Sequence, residues 1–136
     1  MALVIRSMHA ASKPELLNEE WIVVENTGPG VVTSAGWSLG VARGKGQRPS
    51  LLGALQPGFT LQAGEKIRLV TGTPSKKAQG TPPPAEEGLR NYHLFLKAPV
   101  LARAGAVVSF QLKQHELARA TFAPDAPDGM QASAAE

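Results

Sequence analysis

Short apolar runs, each broken within a few residues by Gly, Pro or Asn, set the pattern of this chain. Ala2 to Met8 alternates loosely and carries the β-branched pair Val4 and Ile5, which predicts a first strand. The polar stretch from Ala10 to Asn18, with Pro14, leaves room for one helical turn. Glu20-Trp21-Ile22-Val23-Val24-Glu25 predicts a second strand, ended by Asn26-Thr27-Gly28-Pro29-Gly30, residues that supply the positive and fixed φ angles of a chain reversal. Val31-Val32-Thr33 and Trp37-Ser38-Leu39-Gly40-Val41 predict two more short strands, and a basic loop, Arg43 to Arg48, leads into Leu51 to Leu55.

After turns at Gln56-Pro57-Gly58-Phe59 and Leu61-Gln62-Ala63-Gly64, charged and aliphatic residues alternate over Glu65 to Val70, so Ile67 and Leu69 should face inward. Residues 73–90 form a long loop with Pro74 and the run Pro82-Pro83-Pro84, a composition that predicts an extended, mobile segment with no packed face. Strands are predicted at Tyr92 to Leu96, Ala106 to Leu112 and Leu117 to Phe122, the last two joined as a hairpin across Lys113 to Glu116. Regular turns and the lack of a long amphipathic pattern predict an all-β fold, an immunoglobulin-like antiparallel sandwich of about seven or eight short strands; a closed barrel is the alternative. Residues 1–122 make one domain, and 123–136 read as an acidic disordered tail.

Composition narrows the chemistry. With 14 Gly and 11 Pro in 136 residues, turns are frequent and long helices disfavoured. Without a cysteine there is no disulfide framework, thiol nucleophile or thiolate metal site. Every apolar run is interrupted well short of a membrane-spanning length, and the N-terminus does not read as a secretory signal, so the expectation is a cytoplasmic protein with no membrane contact. The net charge of +3 is uneven: residues 1–122 hold fourteen Lys and Arg against eight Glu, and Asp125, Asp128 and Glu136 follow. A basic body attracts polyanions weakly, and also serves solubility alone.

Three blocks in order carry a resemblance. Glu20-Trp21-Ile22-Val23-Val24-Glu25-Asn26-Thr27-Gly28, then Gly36-Trp37-Ser38-Leu39, then Leu61-Gln62-Ala63-Gly64-Glu65 with Ile67, Leu69, Thr71 and Gly72 resemble the lamin tail domain. Residues 20–72 hold most of the likeness. Ala104-Gly105-Ala106 stands where that family commonly shows Gly-Asp, and Lys97-Ala98-Pro99-Val100 replaces its Asn-rich turn, so loop functions do not carry over. The resemblance implies an immunoglobulin-like sandwich that binds proteins and, in some members, nucleic acid. The chain has no heptad segment, so the filament-forming role of lamins does not transfer.

Catalytic groups are sparse. Both Asp residues lie in the predicted tail, no Gly-x-Ser-x-Gly elbow occurs, and His9, His93 and His115 fall in unrelated segments without metal-ligand spacing. His115-Glu116 sits at a predicted turn, and Glu86-Glu87 reads as a solvated pair in the Pro-rich loop. No cofactor is expected, and the chain is not expected to be an enzyme. Trp37 should fill the core, whereas Trp21 falls on the strand face opposite Ile22 and Val24 and is a candidate partner anchor if it is not packed under the long loop. Asn26 should hydrogen-bond its own turn. Arg43, Lys45 and Arg48, with Lys76 and Lys77, form a candidate phosphate-binding surface if their loops share one end of the fold, although no aromatic residue is interleaved with the 43–48 charges. The expected function is a non-catalytic protein-interaction or assembly module, with a protein partner or self-association; the alternative is a polyanion module that binds DNA through its basic loops.

Overall fold

The computed structural model describes residues 3–44, 50–54, 58–101, 103–113 and 115–132. Eleven strands lie among them: β1 (Leu3–His9), β2 (Trp21–Asn26), β3 (Val32–Thr33), β4 (Trp37–Ala42), β5 (Ser50–Ala54), β6 (Thr60–Leu61), β7 (Lys66–Val70), β8 (Leu89–His93), β9 (Val107–Leu112), β10 (His115–Phe122) and β11 (Met130–Ala132). One sheet has the order β1-β2-β7-β8, a second β11-β10-β9-β4-β5, and β3 pairs with β6 as a short ribbon. The expected all-β sandwich is the observed architecture. It departs from a purely antiparallel arrangement at one place, because β8 runs parallel to β7.

Alternation explains how the sheets close on each other. Ile22 and Val24 of β2, Ile67 and Leu69 of β7, Leu39 of β4 and Phe110 of β9 point into one core around Trp37, which is fully buried. Burying each large side chain there contributes roughly 2 kcal/mol. Trp37 meets the Phe59 ring edge to face and packs beside Phe110. The loose alternation of the first strand has a cause: the β1–β2 register shifts between Ile5 and Ser7, so that Leu3, Ile5 and Met8 all reach the core although Met8 has the wrong parity for an unbroken strand.

Two buried polar residues bracket β2. At its C-terminal end Asn26 accepts from the Gly28 amide and donates to the Gly30 and Leu61 carbonyls, which fixes the reversal as expected from the turn sequence. Just before its N-terminal end, Glu20 is buried and its carboxylate accepts from the Thr71 hydroxyl at 2.6 Å and from the Val100 and Leu101 amides at 2.8 and 3.0 Å. Those amides lie on the connection from β8 to β9, the segment that crosses from one sheet to the other. A carboxylate saturated by such donors is tolerated in the interior, where an unpaired one would not be.

Three expectations are corrected. The strand expected at Tyr92 to Leu96 begins earlier, at Leu89 after Gly88 with φ 79°, and has ended before Phe95, whose φ of 55° takes the chain out of the ladder. The Pro-rich loop does not stand free: Asn18 donates to the Thr73 and Gly80 carbonyls, Asn91 donates to the Pro83 carbonyl, and Arg68 reaches the Pro84 carbonyl and Glu86. It covers the β7–β8 part of the outer face of the β1-β2-β7-β8 sheet, so that Arg68, next to the inward Ile67 and Leu69, is 6% exposed. Residues 123–132, read as a disordered tail, instead fold back: Met8 donates its amide to the Asp128 carbonyl, and β11 pairs with β10. In each case backbone groups find partners that composition alone does not reveal.

Candidate functional site

The register places the strand ends, and with them the functional side chains. His9 pairs with Trp21, Trp21 with Val70, and Val70 with His93, so the ends of β1, β7 and β8 and the start of β2 share one end of the sandwich. In the other sheet, Ala42 pairs with Val107 and Val107 with Thr121. The Phe122 and Met8 segments are joined through the Asp128 carbonyl, which puts this set of strand ends at the same end as the first. The connections after β4 and after β7 therefore emerge together.

Arg43, Lys76 and Lys77 are exposed on those connections, so the structure brings this part of the expected basic surface to one end. Lys45 and Arg48 lie outside the described residues. Two more exposed cations, Lys97 and Arg103, come from the β8–β9 crossover at the same end. The described ion pairs are elsewhere: Arg6 with Glu25, Arg68 with Glu86, Arg90 with Glu65, and Arg119 with Glu116. Glu86 is largely in solvent, as expected, and is also the partner of the buried Arg68 guanidinium.

Trp21 is half-buried. Its ring stacks on His9 with centroids 4.1 Å apart, and the Arg68 guanidinium lies 5.2 Å from its centre. Trp21 also lines an open cleft of about 420 Å³ between the end of β1 and the 122–129 segment, with Met8, Phe122, Pro127 and Asp128. Its outward face thus serves both packing and a cleft wall.

The sheet edges differ. On one side β1 approaches β10 and β11 and is tied to the 123–129 segment. On the other, β8 pairs with β7 alone among the described strands. The Leu94 amide bonds to the Val70 carbonyl, so by alternation the backbone groups of Asn91 and His93 point away from β7.

The three histidines stand on three different strands, β1, β8 and β10. His9 Nδ1 lies 3.0 Å from the Glu19 carbonyl oxygen, and His115 sits at the start of β10. Burial lowers the His93 pKa below the usual imidazole value, partly offset by a hydrogen bond with the Gly72 backbone. Both carboxylate oxygens of Glu20 are engaged by structural donors. Among the described residues no cluster of three or more His, Asp or Glu has metal-binding geometry, and no helix is long and apolar enough to cross a membrane. Sequence reading missed Glu20, Arg68 and Phe95. Only Phe95 had a local signal, a large apolar residue within a segment rich in turn-forming neighbours. No protein-family model matches the chain, and no curated protein matches it in sequence.

Proposed function

We propose that this chain is a non-catalytic protein-interaction module of lamin-tail-domain type, which takes an added strand from its partner on the β8 edge. The observation that carries this reading is a difference between the two edges of one sheet: at the β1 edge the Met8 amide is taken by the Asp128 carbonyl, while β8 has a strand neighbour on one side only among the described residues. Main-chain groups of Asn91 and His93 supply the hydrogen bonds of strand addition, and the saturation of Glu20 by structural donors agrees with a binding role. The resemblance of residues 20–72 to the lamin tail domain points the same way.

Light scattering after size-exclusion chromatography tests the self-associating form. A concentration-dependent dimer that survives high salt and is lost in His93→Pro, which removes an outward amide without touching the β7 ladder, is the expected result. A monomer under all conditions would confine the reading to a strand from another protein. Selection from a displayed library of extended peptides then decides, since failure to recover any binder sensitive to His93→Pro would overturn it.

A further inference from the structure

We infer that the loop end of the sandwich, apart from the β8 edge, is a binding site for single-stranded nucleic acid, with Phe95 as the surface on which a base stacks. Five exposed cations meet there from three separate connections: Arg43 after β4, Lys76 and Lys77 after β7, and Lys97 and Arg103 on the β8–β9 crossover. None of them forms an ion pair or side-chain hydrogen bond with a described residue, whereas Arg6, Arg68, Arg90 and Arg119 all do. Glu15 and Glu19 on the β1–β2 connection and Asp125 and Asp128 beyond β10 are also at this end, and Glu19 lies against Gly80 on the connection that carries Lys76 and Lys77, but none of the four forms an ion pair with a described residue. The result is a set of exposed cations that no described residue pairs.

Charge alone would serve any polyanion; Phe95 makes the surface selective. It is 55% exposed, lies between His93 and Lys97, and holds φ at 55°. A bulky residue in that backbone region is costly, by about 1–2 kcal/mol, and is found where the surroundings enforce it. Here the amides of Leu94 and Leu96, on either side, both bond back to the end of β7, through the Val70 and Thr71 carbonyls, and so pin the bend that presents the ring. The His93 ring stands beside it at 6.3 Å. An outward aromatic ring at the same end of the fold as cations that no described residue pairs is the combination that single strands require, since bases stack on the ring while Lys and Arg neutralise phosphates. Paired bases in a duplex do not offer the same stacking face. A sheet of five strands is roughly 20 Å across, enough for a short single-stranded segment.

Fluorescence anisotropy with a labelled single-stranded oligonucleotide, its duplex and heparin tests the assignment on the full chain. Single-strand binding is expected at low salt, weakening steeply as salt rises. Phe95→Ala should weaken it about tenfold and leave heparin affinity unchanged, while Phe95→Trp should retain it. Lys97→Gln with Lys77→Gln should flatten the salt dependence for all three probes, and Lys113→Gln, at the opposite end, should change nothing. Circular dichroism of each variant confirms the fold. Absence of single-strand binding at low salt, or binding that treats all three probes alike and ignores Phe95→Ala, would overturn the inference. Neither result depends on β8 pairing, which His93→Pro reports separately.

Discussion

The Glu20 carboxylate accepts a hydrogen bond from the Val100 amide, eighty residues further along the chain, at 2.8 Å. With Leu101 and Thr71 as its other donors, Glu20 ties the start of β2 to the crossover between sheets. Replacing it by Ala strands two buried amides and a hydroxyl, which should cost about 3 kcal/mol or more. Thr71→Val removes one donor and should cost about 1 kcal/mol. Urea unfolding measures both, and a Glu20→Ala variant as stable as the parent would refute the anchoring role.

Arg68 holds the Pro-rich loop from beneath, with Nη1 on the Pro84 carbonyl and Asn91 and Nη2 on Glu86. Arg68→Met keeps the buried stem and deletes these contacts. Tryptic cleavage after Lys76 and Lys77 should accelerate at least several-fold, with a change in Trp21 fluorescence as the guanidinium leaves its ring. Glu86→Gln should shift stability by less than about 1 kcal/mol, because that carboxylate is largely in solvent.

Gly129 has φ 72°, and a Cβ there would collide with the Met8 carbonyl oxygen. Gly129→Ala should lift the 123–129 segment off β1. Faster hydrogen exchange at the Met8 amide, which now bonds to the Asp128 carbonyl, is the expected readout. Unchanged exchange there would show that the segment docks without this close approach.

His93 is kept neutral by burial, with its folded pKa below its unfolded value of about 6.5. Its unfolded form therefore binds the proton first as pH falls, so stability is complete above about 6.5 and declines as pH drops toward the folded value. His93→Gln should flatten that part of the pH-stability curve. A parent curve with the opposite slope in this interval would contradict the assignment.

Much of the fold was legible because it is local. Alternation over Glu65 to Val70 and Trp37 to Val41 identified inward residues, and Asn26 announced the turn it stabilises. Parity breaks at the bulge between Ile5 and Ser7, and in β7 burial extends to Arg68 on the opposite face without one. The candidate site was half legible: its cations could be read as residues, but not as neighbours.

Amino-acid order by itself determined which segments extend, where they reverse and which face of each strand is apolar, since period-two alternation and turn chemistry act over a few residues. The tertiary structure alone decided what covers the other face. It buried Arg68 beneath a Pro-rich loop, engaged Glu20 with amides eighty residues away, and brought the connections that carry Arg43, Lys76, Lys77 and Lys97 to the same end of the fold as an exposed Phe95. Those outcomes follow from strand order and from the demand that each buried backbone group find a partner, and neither is carried by any local stretch of the chain.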